Sequence, residues 1–128
     1  MSDPSTTLYH PTVGTPDLPF SEAVQARGLL FLAGQIGIDA GGDLVPGGIG
    51  AETRQALANV RAVLERHGAS LDDIVKVTVM LADIAEWAAM NVEYVKFFPR
   101  HLPARSAFGT TGLALAARVE IECVALAP

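Results

Sequence analysis

The sequence is poor in cysteine and has no clustered histidines. Its one cysteine, Cys123, can form neither an internal disulfide nor a Cys-x-x-Cys pair. This favours a reducing compartment, and we expect the cytoplasm. His10, His67 and His101 are far apart, and none has a second histidine three to five residues away. Zinc sites require clustered ligands at such spacings, so no metal site is predicted.

The sequence also lacks an excess of positive charge and any long apolar run. Nine Lys and Arg residues against 14 Asp and Glu residues give a formal net charge of −5. Binding to nucleic acid depends on basic residues that neutralise phosphates, so we expect no nucleic-acid partner. No apolar run approaches the roughly 20 residues that cross a bilayer. No signal peptide is visible either, so no membrane partner is expected.

What the sequence does contain is a high apolar fraction. Hydrophobic residues make up 50 % of the 128 residues, enough for the core of one domain. We predict a single domain over residues 1–128, in which residues 1–18 form an extended lead-in rich in Pro, Thr, Ser and Asp. The apolar fraction is high for so short a chain, which suggests that some surface packs against other subunits.

Turn residues and apolar patterns predict the first half of the fold. The apolar run after Arg27-Gly28 predicts a hairpin with strands at Ser21–Ala26 and Leu29–Gly37. Five glycines and a proline in residues 40–50 predict a surface loop, because the lysine of a phosphate-binding loop is absent. A helix is predicted for Ala51–His67, with an apolar stripe made of Ala56, Leu57, Val60, Val63 and Leu64.

The second half alternates between strand and helix patterns. Val75–Leu81 and Arg118–Leu126 alternate apolar and polar residues, as strands with one buried face do. Between them, Asp83 can cap a helix that ends before Pro99, and a further short strand is possible near Ser106. The apolar stripe predicted for this second helix comprises Ile84, Trp87, Asn91, Tyr94 and Phe98.

These elements together predict an α+β fold: a two-layer domain with a mixed β-sheet covered on one face by two helices. Two helices can cover only one side of the sheet. The opposite side must therefore meet water or another chain.

Arg105 is the strongest candidate for a binding group. It follows Pro103 and precedes small apolar residues, so its backbone is stiff and its surroundings are partly dry. A planar guanidinium in such a place can bind a carboxylate through two parallel hydrogen bonds. An internal salt bridge to Glu120 or Glu122 explains this arginine equally well, and the pattern alone leaves both interpretations open.

The remaining candidates have simple structural explanations. Cys123 lies on the apolar face of its strand, as a core residue does, and Ser106 has no nucleophile elbow around it. Glu120 and Glu122 share the polar face of the last strand, where solvated carboxylates are the default and proton transfer by one of them is the alternative. Asn91 lies on an apolar stripe and must find partners, either by holding a loop or by lining a pocket.

Six segments carry a resemblance to a known family: PFSEAV, LLFLAGQIGID, ETRQALANVRAVLERHGASLDDIVKVTVML, NVEYVKFF, PARSAFG and VEIECVA. In order and spacing they resemble the RidA/YjgF family of enamine/imine deaminases, from about Pro19 to Ala127. The resemblance implies a fold similar to bacterial trimeric chorismate mutase, and a homotrimer with three clefts between neighbouring subunits. It also implies hydrolysis of reactive 2-imino acids and their enamine tautomers to 2-keto acids and ammonia, without metal or cofactor.

The resemblance assigns roles to individual residues. Arg105 of the PARS motif binds the substrate carboxylate in the family, which favours ligand binding over the salt bridge. Glu120, the first glutamate of the closing E-I-E motif, positions or activates the water. Ala107 offers a backbone group to the reacting atoms, Gly34 forms the cleft wall, and Asn91 matches the family's asparagine in the second helix.

Two positions depart from the family pattern. Phe20 stands where many members have tyrosine, so a hydroxyl is missing, although its ring can still form an apolar wall. Ala107 stands where many members have cysteine. The alternatives are a deaminase of another enamine such as 2-aminomuconate and a non-catalytic trimer that binds a small carboxylate. A ribonuclease is disfavoured by the acidic charge balance.

Overall fold

The computed structural model describes residues 5–14 and 17–128. Within them it contains one six-stranded mixed sheet and two α-helices, and it confirms the predicted α+β class. The strands are β1 (Leu8–Pro11), β2 (Ser21–Ala26), β3 (Leu29–Ile36), β4 (Ile74–Leu81), β5 (Ala104–Gly109) and β6 (Val119–Leu126), and the helices are α1 (Ile49–Arg66) and α2 (Trp87–Tyr94). The strand order is β1-β2-β3-β6-β4-β5. Strands β4 and β5 pair in parallel, and the other neighbours pair antiparallel.

The β2–β3 hairpin forms as predicted. Arg27 and Gly28 make its two-residue turn, with φ angles of 53° and 79°. Two-residue turns with positive φ at both positions match the twist of the strands that they connect. The turn sets the register in which Val24 pairs with Phe31.

Helix α1 covers the middle of the sheet and supplies much of the core. It begins at Ile49, two residues earlier than predicted, and ends before Gly68, whose φ of 81° stops a helix. All members of its predicted apolar stripe are buried. They pack with alternate residues of the central strands, including Leu32, Val79 and Ile121.

The second helix is shorter and less regular than predicted. Asp83 caps its first turn, as predicted, but that turn is 3₁₀, and a second 3₁₀ turn follows Tyr94. The predicted stripe is wrong at its start, because Ile84 and Trp87 are 52 % and 45 % exposed and the fully buried residue is Met90. Residues of a 3₁₀ turn rotate by about 120° each rather than 100°, which moves the first stripe residues off the buried face.

The predicted lead-in, residues 1–18, contains a strand that the sequence did not indicate. Strand β1 pairs antiparallel with β2 and forms one edge of the sheet. Its residues alternate between half-buried and exposed. The lead-in prediction also covers residues 1–4 and 15–16, which lie outside the described residues.

The sheet face away from the helices, called the open face below, is partly apolar. Tyr9, Val24, Phe31 and Val124 lie side by side on it, because each pairs with the next across four strands. Tyr9 is 70 % exposed and Phe31 is 44 % exposed. None of the helices in the described ranges has the length and apolar character needed to span a membrane.

Candidate functional site

Strand β5 directs Arg105 towards the helices. Arg105 pairs with Val77 of β4, a core residue that is 1 % exposed. Side chains of directly paired residues lie on the same face of a sheet. The guanidinium is therefore on the helix-covered face, at the edge of the sheet that β5 forms.

Three side chains of α2 contact the Arg105 guanidinium. Its Cζ lies 4.6 Å from the centre of the Tyr94 ring and 5.7 Å from that of Trp87. Its Nη1 lies 3.9 Å from Sδ of Met90. Arg105 makes no ion pair with any residue that the structure describes, so the internal salt bridge that the sequence left open is absent.

An open pocket lies beside the guanidinium. We call it the arginine pocket, and its volume is about 320 Å³. The residues that line it are Asn91, Tyr94, Val95, Leu102, Pro103 and Arg105. Oδ1 of Asn91 and Oη of Tyr94 are buried and have no hydrogen-bond partner in the described chain. Buried polar atoms without partners are rare in proteins and call for an explanation. The unneutralised guanidinium beside them can bind an anionic group, and the Asn91 oxygen can accept a hydrogen bond from an N–H group, so the pocket fits a polar, anionic ligand.

Glu120 lies on the open face instead. It is next to the buried Ile121 on β6 and pairs with Met80. Its carboxylate occupies the space where a side chain on Gly34 would project, since a Cβ at that position would overlap Glu120 Oε2. Burial, and then repulsion from Glu122, raise the pKa of the Glu120 carboxyl. We call Gly34 and Glu120 the glutamate wall.

One chain thus places the predicted site residues in two groups. Arg105, Asn91 and Ala107 lie on the helix-covered side, where Ala107 packs against the core two residues after the arginine. Gly34 and Glu120 lie on the opposite face of the sheet. Because a sheet separates the two groups, Arg105 and Glu120 of one chain cannot contact the same small molecule.

Three further residues lie outside these two groups. Phe20 is half exposed, just before β2 begins, so its ring is free for contact with another molecule. Cys123 is a buried core residue, as predicted, and burial raises the pKa of its thiol to about 12. His101 is exposed. The described residues contain no group of three His, Cys, Asp or Glu side chains that could hold a metal ion.

The sequence interpretation missed the contacts that surround the arginine. The sequence pattern places Trp87 and Tyr94 on the apolar stripe of the second helix and indicates no role for Met90. Their spacing of three and four residues was a usable signal, because it places all three side chains on one side of a helix. That this side meets Arg105 depends on the pairing of β5 with β4, which the sequence does not reveal.

Comparisons with known proteins agree with this fold. Residues 14–127 match the family model described as Endoribonuclease L-PSP. A goat protein named 2-iminobutanoate/2-iminopropanoate deaminase is 41 % identical over 109 residues, covering 84 % of this chain and 80 % of the goat protein. A RutC family protein of Pyrococcus horikoshii is 44 % identical over 108 residues, which cover 84 % of this chain and 86 % of that protein.

A solved structure extends the agreement to three dimensions. The crystal structure of the YjgF gene product of E. coli superposes with a TM-score of 0.81 at 29 % identity, covering 98 % of this chain and 95 % of the E. coli chain. The matches span almost the whole chain, including both groups of predicted site residues. The chain therefore belongs to the Endoribonuclease L-PSP family, which is the RidA/YjgF family to which its sequence motifs pointed.

Proposed function

We propose that this protein is a hydrolytic deaminase of reactive 2-imino acids and their enamine tautomers, and that it releases 2-keto acids and ammonia. One observation carries the proposal: the Arg105 guanidinium lies beside an open pocket and is neutralised by no carboxylate of the described chain. The names of relatives such as the goat deaminase support the same reaction class.

In this proposal Arg105 binds the substrate carboxylate. Two parallel N–H···O bonds fix the acid group in plane with the guanidinium, and each charge-assisted bond contributes about 1.5–3 kcal/mol. Asn91 lines the same pocket and supplies an amide for the remaining polar atoms of the ligand. Ala107 lies on β5, whose outer edge has free backbone groups that can bind the reacting end of the substrate.

Glu120 is proposed to move the proton. Its raised pKa makes the ionised carboxylate a better base than an ordinary glutamate. The carboxylate accepts a proton from water as the water oxygen bonds to the C=N carbon. That proton passes to the nitrogen, which gives a carbinolamine with one hydroxyl and one amino group. The Glu120 carboxylate then takes the hydroxyl proton and delivers it to the amino group as the C=O double bond forms and the C–N bond breaks, so the products are the keto acid and ammonia. Gly34 leaves the space that this carboxylate needs.

The separation of the arginine pocket from the glutamate wall requires a second chain. We propose a homotrimer of the chorismate mutase-like type, in which the pocket of one subunit faces the glutamate wall of its neighbour. The apolar row on the open face, which contains Tyr9 and Phe31, supports burial against other copies. The exposed ring of Phe20 is proposed as an apolar wall of the cleft between subunits.

Because Cys123 is a free thiol, the proposed location is the reducing cytoplasm.

The test supplies a 2-imino acid made in place by an amino-acid oxidase and measures the rate of ammonia release. We expect the parent protein to accelerate release over the uncatalysed reaction. Arg105→Ala should lower kcat/KM by at least tenfold, since one such charge-assisted bond is worth about 1.5–3 kcal/mol.

The matched control is Arg61→Ala. Arg61 also lies over an aromatic ring, with its Cζ 5.6 Å from the centre of Phe97, but it does not line the pocket. We expect parental rates from this variant. No acceleration by the parent, or equal activity in the Arg105 and Arg61 variants, would reject the proposal. Binding of 2-ketobutyrate without any turnover would instead favour a non-catalytic carboxylate-binding protein.

A further inference from the structure

We propose that Tyr94 is a positioning residue: its ring fixes the plane of the Arg105 guanidinium so that the arginine edge is presented to the ligand. The inference rests on the proposed function in one respect, namely that Arg105 binds the substrate carboxylate. Tyr94 itself was expected only to contribute to the apolar side of its helix.

The first argument is the environment of the guanidinium. An arginine usually gains a fixed orientation from a carboxylate partner, and Arg105 has none among the described residues. What it contacts is the Tyr94 ring, whose centre lies 4.6 Å from Cζ. Arginine can stack on an aromatic ring through the face of its guanidinium, and in that arrangement the N–H groups along its edge stay available for bidentate bonds.

The second argument is that Tyr94 is itself fixed. Its side chain is buried, at 5 % exposure, and its ring packs on Phe98 with the ring centres 4.9 Å apart. Trp87 also contacts the guanidinium, but at 5.7 Å and with 45 % exposure. Cation–ring attraction is stronger where water is excluded. Of the two aromatic supports of the guanidinium, Tyr94 is therefore the main one and Trp87 the weaker one.

The third argument concerns the Tyr94 hydroxyl. Its oxygen is buried, and no group in the described part of the chain makes a hydrogen bond of good geometry to it, although the Arg105 guanidinium is close enough to oppose the effect of burial on its pKa. Burial raises the pKa of Tyr94, although the nearby Arg105 charge opposes this, so the phenol stays neutral. A buried hydroxyl without a partner costs desolvation energy and does not stabilise the fold. The contribution of Tyr94 to the site is thus assigned to its ring, which a phenylalanine would retain.

The test compares Tyr94→Phe with Tyr94→Leu. Calorimetry gives the Kd for 2-ketobutyrate, and imine turnover gives KM and kcat. We expect Tyr94→Phe to stay within threefold of the parent. Tyr94→Leu should raise Kd and KM about tenfold, which is about 1.4 kcal/mol, while kcat changes less than threefold. A purely structural role would not produce this split between KM and kcat, nor the rescue by phenylalanine.

Two further variants keep the test decisive if Tyr94→Leu fails to fold. Trp87→Leu removes the weaker, exposed support, and we expect a rise of about threefold in Kd without loss of thermal stability. Phe97→Leu is the matched control, because it removes the ring beneath Arg61 outside the pocket. It should bind 2-ketobutyrate like the parent.

The outcomes separate this inference from the proposed function. If the parent hydrolyses imines but Tyr94→Leu or Trp87→Leu binds 2-ketobutyrate like the parent, the positioning role alone is wrong. Equal weakening in Tyr94→Phe and Tyr94→Leu also overturns it, since the hydroxyl would then carry the effect. If the parent hydrolyses no imine but binds 2-ketobutyrate with the expected dependence on Tyr94, the positioning role stands and the deaminase proposal fails.

Discussion

Arg66 and Arg105 both contact buried side chains, but a carboxylate neutralises only the first of them. Arg66 donates hydrogen bonds of 3.2 and 2.8 Å to the two carboxylate oxygens of Glu22. Arg105 lies against Tyr94 and has no acidic partner among residues 5–14 and 17–128. A charge satisfied within the fold stabilises the fold, whereas a fixed and unsatisfied charge is available to a ligand. Residue type alone does not distinguish these cases.

Glu120 and Glu122 show the same contrast for carboxylates. They are two residues apart on one face of β6, but Glu120 is partly buried against Gly34 and Glu122 is exposed. Burial raises the pKa of Glu120, and the negative charge of Glu122 raises it further. Alternation along the strand predicted the shared face correctly, but it could not predict which of the two is the buried one.

We expect Glu122→Gln to shift the pH profile of the proposed deaminase. Glu120 must be ionised to accept a proton, so activity falls as the pH drops below its pKa. Removal of the Glu122 charge lowers that pKa. The acid limb of kcat/KM should therefore move to lower pH, with activity at neutral pH within about threefold of the parent because Glu120 itself is unchanged. The measurement is kcat/KM for an imine across the acid range.

Glu65→Gln is the control for this prediction. Glu65 is an exposed carboxylate on α1, and its removal changes the net charge of the chain by the same amount. The acid limb of kcat/KM for Glu65→Gln should coincide with that of the parent. An acid limb in Glu122→Gln that stays in place or moves to higher pH contradicts the role given to Glu120.

At the scale of elements, strongly periodic segments were predictable, whereas of the two edge strands the sequence indicated β5, near Ser106, but not β1. Strands β2, β3, β4 and β6 and helix α1 carry clear apolar patterns, and each was predicted to within two residues. Strand β1 has four residues with only half-buried side chains, so backbone pairing with β2 rather than burial accounts for it. Helix α2 was less predictable, because exposed apolar residues such as Trp87 and Val92 obscure its buried side.

The site was predictable only in part for a related reason. Motifs identified Arg105, Asn91 and Glu120, but their faces depend on strand pairing. The pairing of Arg105 with Val77 places the arginine on the helix side, and it involves a parallel connection that no local pattern encodes. The separation of Arg105 from Glu120 therefore became visible only in the structure.

Glu22 of β2 connects that strand to the C-terminal end of α1. It is 4 % exposed and accepts hydrogen bonds from Arg66 and His67, and the His67 ring stacks on His10 of β1 with centres 4.1 Å apart. Burial opposes the ionisation of Glu22, but the hydrogen bonds from Arg66 and His67 outweigh it and lower its pKa. The cluster connects three elements through one carboxylate.

We expect Glu22→Gln to lower the free energy of unfolding by about 2 kcal/mol at neutral pH, because Arg66 and His67 lose a buried, charged acceptor. A lowered folded-state pKa stabilises the protein above the ordinary pKa of 4.5, and this stabilisation is lost as the pH falls through the folded-state value. The difference between parent and variant should therefore shrink on acidification. Urea unfolding at equal protein concentration measures it.

Asp72→Asn is the matched control for the carboxylate. Asp72 pairs with Arg100 at 3.5 Å, but its side chain is 50 % exposed. Exposed pairs contribute about 0–1 kcal/mol, so this variant should unfold nearly like the parent. Equal losses in both variants, or a Glu22 effect that grows on acidification, would contradict the assignment.

At the scale of the whole molecule, the sheet separates the arginine pocket from the glutamate wall and holds both in one chain. Its helix-covered face carries the arginine pocket, and its open face carries the glutamate wall and the apolar row of Tyr9, Val24, Phe31 and Val124. In the proposed deaminase, a single folded chain therefore carries only part of each site. In a cyclic assembly every interface is alike, so each subunit can supply its arginine pocket to one neighbour and its glutamate wall to the other.

This arrangement predicts that two inactive variants restore each other. Arg105→Ala and Glu120→Gln each lack one part of every site, and we expect each alone to lose at least tenfold in kcat/KM. After unfolding and refolding together in equal amounts, a site is complete when its arginine comes from one variant and its glutamate from the other. Random assembly gives this combination in about a quarter of the sites, so imine turnover should recover to about a quarter of the parental rate.

The control mixture contains the Arg105→Ala chain and the double variant Arg105→Ala/Glu120→Gln. Because no chain in this mixture has Arg105, imine turnover should not recover. Size-exclusion chromatography with light scattering establishes that the mixed assemblies have the mass of the parent. If both residues acted from the same chain, every site in the first mixture would carry one defect, and no activity would return. Recovery therefore depends on the sheet separating Arg105 from Glu120 within each chain.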